Sequence, residues 1–219
     1  MDLILKGATD ARQLALTIDD FPSSGTTEAN SGSMALLDDL KELNIPATFF
    51  CIGERVHAHH GLAARAVQEG HELGNHMARD QWSILLNQEQ FLEQLDFTAN
   101  AITEDLKRSG IPPVQLRWFR PSGGWPTPRM VEWAEGRGYK TVLGLIWPFD
   151  GLSVPLLSRE MRLEFQQRLV EHLAHPGGII VLHDTREFNP LTRETLREVV
   201  PILKDEGFSF VTLSQLLAV

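Results

Sequence analysis

Disulfide chemistry is excluded at the outset. The 219 residues contain one cysteine, Cys51, so no internal bridge can form and multi-cysteine metal sites are ruled out. Positive charge is also scarce: 20 Lys and Arg stand against 29 Asp and Glu, a net charge of −9, which argues against a protein that grips nucleic-acid phosphates. No apolar run approaches the roughly 20 residues of a membrane-spanning helix, so neither nucleic acid nor membrane is expected as a partner. The start, Met1-Asp2-Leu3-Ile4, lacks the basic, apolar and small-residue regions of a signal peptide. A cytoplasmic location follows if Met1 is the native start, a secreted one if a leader has been removed. Gly-x-Ser-x-Gly elbows and phosphate-binding glycine loops are missing too. What remains, 42% apolar and 22% charged, is an ordinary globular composition, sufficient for one domain over 1–219 with a substantial core.

Apolar runs of strand type alternate with longer stretches of helical periodicity. Strands are expected at 14–18, 47–52, 72–73, 118–119, 140–146, 178–182 and 208–213. Helices are expected at 34–43, 55–69, 88–107, 128–137, 158–172 and 192–203. The long helix from Gln88 carries Phe91, Leu95, Ile102 and Leu106 on one face. Seven strands mostly separated by helices, several apolar throughout, predict an α/β fold: a single-domain parallel βα barrel covered on both faces. Ser23–Ser33 reads as a loop.

Function in such a barrel gathers at the C-terminal ends of strands, and four ends carry side chains capable of chemistry. Asp19-Asp20 closes the first apolar strand; adjacent carboxylates diverge, so one can bind a metal while the other handles a proton. Asp38-Asp39, the same pair on a helix, reads as solvated. His76 and Asp80 lie four apart, one helical turn, a spacing of nitrogen and oxygen donors that suits zinc or another borderline divalent ion. Arg120 ends another strand and needs a carboxylate partner if buried, with Asp19 and Asp150 as the candidates. His183 ends a wholly apolar strand, placed for proton transfer near neutral pH, with Asp184 next to it to orient the ring. His57, His59, His60, His172 and His175 read as helix-surface residues, and Cys51 as a small buried hydrophobe.

These pieces, in this order, resemble the polysaccharide deacetylase family (the NodB-homology domain, carbohydrate esterase family four). Thr17-Ile18-Asp19-Asp20 is similar to its first motif, Gly70–His76 to its second, Arg117–Gly124 to its third and Ile180–Asp184 to its fifth. The resemblance covers roughly residues 14–213 and implies a distorted seven-stranded (β/α)7 barrel. It also implies metal-dependent removal of N-acetyl groups from N-acetylglucosamine-containing oligo- or polysaccharides, chitin-type or peptidoglycan-type. By position, Asp19 would be the general base, paired with Arg120, and His183 the general acid. Asp20 and His76 would bind the metal, most simply Zn2+, with Co2+, Ni2+ or Mn2+ as alternatives. Ile180 and Leu182 would lie near the acetyl methyl, and the backbone N–H of Ser122 would face the oxyanion.

Four departures stand out. Asp80 occupies the place of a second histidine, which would give a shell of two carboxylates and one imidazole. Phe21 replaces the glycine after the paired aspartates. Ser122 replaces an aromatic residue, and Trp147-Pro148-Phe149-Asp150 stands where a fourth motif is expected, its Trp147 and Asp150 assigned to substrate. Phe21, Trp125, Trp147 and Phe149 are candidates for a sugar-stacking groove. Two competing readings keep the barrel: a hydrolase of a small amide or cyclic imide, and a non-catalytic carbohydrate-binding relic.

Overall fold

The computed structural model describes residues 3–7, 11–24, 31–150, 157–185, 187 and 189–218. Its strands are β1 (Leu3–Ile4), β2 (Gln13–Phe21), β3 (Thr48–Cys51), β4 (Glu72–Asn75), β5 (Trp118–Phe119), β6 (Lys140–Val142), β7 (Gly178–His183) and β8 (Ser209–Val211). The helices are α1 (Ser31–Glu42), α2 (Gly53–Ala58), α3 (Leu62–Gln68), α4 (Gln88–Arg108), α5 (Pro128–Glu135), α6 (Arg159–Leu173), α7 (Asn189–Asp205) and α8 (Leu213–Leu216). All strand pairs are parallel, in the order β1-β6-β5-β4-β3-β2-β7, with β8 beside the start of β2. The seven expected strands are all present. The two-residue β1 is an addition, too short to leave a periodic signal in sequence.

Among the described residues the sheet curls into a distorted barrel whose edge returns to β7, through the Gly7 N–H to the Gly177 carbonyl at 2.7 Å and through a bridge after β6. After β6 the chain leaves β1 and bridges to β7: Val181 N–H donates to the Ile146 carbonyl at 2.9 Å, and Ile146 N–H to the Ile179 carbonyl at 3.3 Å. Gly144 permits this approach. A Cβ there would lie 2.5 Å from Val181 Cγ2 and 2.8 Å from the Ile179 carbonyl oxygen.

Period-two alternation sorts the strand residues into two cores. On β2, Leu14, Leu16 and Ile18 face the helices and join the larger core, as Ile180 and Leu182 do on β7. Ala15 and Ile179 face inward, with Phe50, Trp118, Val142 and the α8 residues Leu213 and Leu216. Asp19 pairs with His183 in register, two steps beyond Thr17 and Val181, so the inward face of both strands leads to polar residues at the same rim. Thr17 lies among them with its hydroxyl bonded to the Ile180 carbonyl at 2.6 Å.

Several expectations need correction. The single helix over 55–69 is two, α2 and α3, separated at Gly61, which adopts φ 88°. Asp39 is not solvated: it is buried at 1% exposure and clamped by Arg193 and Arg197 of α7 at 2.5 Å each, while Asp38 is exposed and pairs with Arg65. His59 is buried rather than at the surface. Residues 25–30 of the Ser23–Ser33 loop lie outside the described residues. Among the described residues no helix is long and apolar enough to cross a membrane.

Gly144→Ala should force apart the bridge between the chain after β6 and β7. Overpacking of this kind costs about 1–3 kcal/mol, so the urea denaturation midpoint should fall while the m-value stays constant. An unchanged midpoint would show that the β6–β7 approach has slack.

Candidate active site

A cavity of about 540 Å3 opens at the C-terminal rim of the strands. Asp19, Asp20, His76, Arg120 and His183 all line it, drawn from the ends of β2, β4, β5 and β7. Alternation alone would turn Asp20 away from Asp19. A register shift between Ile18 and Phe21 and a left-handed backbone at Asp20, φ 66°, bring both carboxylates to the cavity. Strain of that sort, about 1–3 kcal/mol, collects at functional sites; Asp tolerates it better than most residues.

Arg120 is buried at 2% exposure and braced from four directions. Its Nη1 donates to Asp19 Oδ1 at 2.6 Å and to Thr17 Oγ1 at 2.9 Å, its Nε to the Val142 carbonyl at 3.1 Å, and the guanidinium lies 4.1 Å from the centroid of the Phe50 ring. Of the two partners open from sequence, Asp19 is the one engaged. Burial pushes the Asp19 carboxyl up, but Arg120, with His76 and His183, outweighs it and holds the group below its ordinary value. Asp19 is therefore ionised across the physiological range.

His76 sits against both aspartates, its Nε2 3.7 Å from Asp20 Oδ1 and 4.0 Å from Asp19 Oδ2. Its Nδ1 is 2.8 Å from the Arg120 carbonyl oxygen. A carbonyl only accepts, so Nδ1 carries a proton and Nε2 is the ring nitrogen turned toward Asp20, the orientation of a metal-ligating imidazole. Burial drives the Asp20 carboxyl above its ordinary value, against the attraction of the two histidines. These two donors fit a divalent cation.

Asp80 does not complete a shell with them. It lines the same cavity, yet its carboxylate is held by Arg55 Nη2 at 2.7 Å and is half exposed. Arg55 also donates through Nη1 to the Asp20 carbonyl at 2.7 Å, so one guanidinium ties the two loops together. Among the described residues no three His, Cys, Asp or Glu side chains are grouped as a metal ion would require. The expected helical turn from His76 to Asp80 does not form; Met77 adopts φ 71° and the segment is irregular.

On the other side, His183 is oriented by Asp150. His183 Nδ1 lies 2.9 Å from Asp150 Oδ1, and its backbone N–H donates to Asp150 Oδ2 at 2.7 Å. Thr192 Oγ1 adds a bond to the same oxygen at 3.1 Å. Asp150 is fully buried, so its assignment to substrate is corrected: it holds the histidine ring and leaves Nε2 for the cavity. Burial works against protonation of His183, but Asp150, with Asp19 and Asp20 behind it, carries the imidazole up to about 9. Asp184 has a different task. Ser33 Oγ, Asn189 Nδ2 and the Ser23 N–H all donate to it, and burial raises it to about 6.

Four further assignments change. Phe21 is fully buried and stacks on Phe49 with ring centroids 4.4 Å apart, so it belongs to the core and not to a groove. Ile180 and Leu182 pack under the helices. Val181, two residues before His183 and so on its face, is the β7 residue in the cavity wall; counting back by two in sequence would have found it. Ser122 is buried and does not line the cavity; its carbonyl accepts from the Ser83 N–H at 3.1 Å and the Ser83 hydroxyl at 3.0 Å. Trp147 and Trp125 do line it, joined by Trp82, Leu143 and Gly144. Cys51 is buried, and burial pushes its thiol up, which excludes a nucleophile. His71 is lowered by burial to about 4 and accepts from the Ala47 N–H.

Residues 6–142 match the family described as polysaccharide deacetylase. A peptidoglycan-N-acetylglucosamine deacetylase of Bacillus cereus is 30% identical over 211 residues, which span 93% of this chain and 87% of that relative. A crystal structure of a peptidoglycan N-acetylglucosamine deacetylase with a bound N-oxidanyl-benzamide superposes with a TM-score of 0.82 over 99% of this chain and 92% of its own. The identity there is 24%, so that likeness is one of fold. A family 4 acetyl xylan esterase from Clostridium thermocellum, in complex with a cobalt ion, gives a TM-score of 0.74 at 29% identity, covering 93% of this chain and 89% of that one.

The His183–Asp150 pair makes a direct prediction. Asp150→Asn removes the charge that raises the imidazole and leaves burial, which lowers it. In histidine NMR titrations the His183 midpoint should drop from about 9 by about 1–3 pH units. An unmoved midpoint would mean that Asp150 does not set the protonation of His183.

Proposed function

The chain belongs to the polysaccharide deacetylase family, and we propose that it hydrolyses the N-acetyl group of N-acetylglucosamine residues in a glycan, of peptidoglycan type by the name of its Bacillus cereus relative. One observation carries this reading. A buried carboxylate held ionised by Arg120 and a partly buried imidazole held protonated by Asp150 meet in one cavity, with Asp20 and His76 beside them. Amide hydrolysis needs this division: a base for the attacking water and an acid for the departing amine.

Asp19 takes the proton of a water that attacks the acetyl carbonyl. Arg120 keeps the carboxylate charged beforehand and steadies it through Thr17. As the carbon–nitrogen bond breaks, His183 delivers its proton to the sugar nitrogen, so acetate and a free amine leave. Asp150 fixes the donating ring. Asp20 and His76 are the residues that would hold a divalent cation, which when bound polarises the water and the acyl oxygen. Val181 contributes an apolar patch near His183 for the acetyl methyl. A relic that only bound sugar would have no use for two oppositely tuned ion pairs, and the intact acid–base set favours catalysis.

Acetate release from β-1,4-linked N-acetylglucosamine oligomers, in the presence of added Zn2+ or Co2+, is the deciding assay. Asp19→Asn and His183→Ala should each lower kcat by about 10²–10⁴. No acetate from any N-acetylated glycan would overturn the proposal. Because protonated His183 is the donor, kcat/KM should be sustained below its midpoint and fall as the pH rises through about 9; a rate that keeps climbing there would remove His183 as the acid.

Calorimetric titration with Co2+ tests the ligand pair separately. Asp20→Asn and His76→Ala should each weaken affinity by at least about tenfold, whereas Asp80→Asn should stay within about twofold. A loss for Asp80→Asn equal to that of His76→Ala would mean that Asp80 leaves Arg55 for the ion.

A further inference from the structure

Arg55 belongs to none of the motifs that mark the site, yet it touches two of the loops that form it. It stands in the first turn of α2, and that turn is fastened on two sides. The Gly53 N–H donates to the Met77 carbonyl and the Glu54 N–H to the Ala78 carbonyl, each at 3.0 Å. The loop after His76 thus takes donors that a helix start leaves free. On its other side Gly53 presses against α4: a Cβ there would lie 2.5 Å from Thr98 Oγ1 and 2.8 Å from Thr98 Cα. Arg55 therefore projects from a fixed mount.

Its guanidinium divides between two acceptors. Nη1 donates to the Asp20 carbonyl and Nη2 to Asp80 Oδ2, both at 2.7 Å. Asp20 and Asp80 line the cavity and Arg55 does not, so Arg55 acts from behind the wall. What it holds is the backbone of Asp20, the residue whose φ of 66° sets where its carboxylate points. The neighbouring Asp19 carbonyl is taken by the Asp184 N–H at 2.9 Å, on the β7 side. The turn at the end of β2 is thus pinned on both flanks. A half-exposed carboxylate such as Asp80 adds little stability by pairing with an arginine; its use here is to fix the direction of a planar fork.

We infer that Arg55 is a positioning residue for the cation site: through the Asp20 carbonyl it holds the left-handed turn that aims the Asp20 carboxylate beside His76, and Asp80 orients Arg55 without binding the ion. The inference rests on the reading of Asp20 and His76 as the cation-holding pair and adds what keeps that pair in place. Charge makes it testable by sign. A guanidinium beside the site repels a cation, so on charge alone its removal tightens cation binding. Release of the Asp80 carboxylate would push the same way. Positioning predicts the reverse.

Calorimetric titration with Co2+ compares Arg55→Met with its parent in the wild-type and the Asp80→Asn backgrounds. Affinity should be about tenfold weaker in both, the scale on which residues that orient a metal ligand act. Arg55→Gln, a second truncation that guards against misfolding of the first, should lose as much. Arg55→Lys in the Asp80→Asn background keeps a charged donor for the Asp20 carbonyl and should recover to within about threefold of its parent. Affinity unchanged or tighter after truncation in either background would overturn the inference, as would a lysine variant no better than the methionine one. Weakening by Asp20→Asn but not by Arg55→Met sinks only this inference, whereas an Arg55-dependent affinity in a wild-type protein that releases no acetate sinks only the deacetylase reading.

Discussion

The ion pair between Arg120 and Asp19 is the interaction on which the rest of the site depends. Both groups are withdrawn from water at the barrel mouth, and burial works against the charged form of each. The geometry of the pair is close, Thr17 and the Val142 carbonyl take further N–H groups and the Phe50 face lies under the guanidinium, while Nη2 is buried with no hydrogen-bond partner among the described residues. Removing one partner from such a pair costs about 3–5 kcal/mol, because the other charge stays buried alone. Arg120 also links β5 to β2 and β6, and its backbone carbonyl sets the tautomer of His76. A single residue thereby fixes the charge of the base and the orientation of the neighbouring imidazole.

A second pair, with its carboxylate buried and its imidazole partly so, runs the same physics with the opposite outcome. Asp150 is completely enclosed, bonded to the main chain and side chain of His183 and to Thr192, and it raises the imidazole where Arg120 lowers a carboxyl. Two groups with environments that separate their proton affinities in this way are matched to the roles of base and acid at one pH. The bridge at Ile146 and the close approach at Gly144 give this a mechanical basis. They bring the chain after β6 against β7 and carry it on to Asp150 beneath His183.

Much of this was legible in the residues. Apolar runs closed by Asp19-Asp20, His76, Arg120 and His183 marked strand ends of a parallel barrel, and all four gather at one rim. Errors arose where local pattern was a poor guide to neighbours. Sequence alone places Asp150 at substrate, because nothing in Trp147-Pro148-Phe149-Asp150 reveals that the chain folds it under His183. Phe21 reads in sequence as a groove aromatic, yet the bulge that turns Asp20 inward sends Phe21 onto Phe49. Asp39 looked like its solvated neighbour until α7 supplied Arg193 and Arg197, more than 150 positions away in sequence. Asp80 carried the spacing of a ligand, whereas Arg55 decides which way its carboxylate turns.

The order of strands and helices, and the identity of the groups at strand ends, were determined by the sequence alone, because hydrophobic periodicity and strand polarity are local properties of the chain. Which carboxylate meets which cation was decided only by the tertiary structure. Such partners are chosen by distances across the barrel and by exclusion of water, and no spacing along the chain encodes either one. The same holds for Trp82, Trp125 and Trp147: their rings are visible in the composition, but their convergence on one cavity arises only when the strands close.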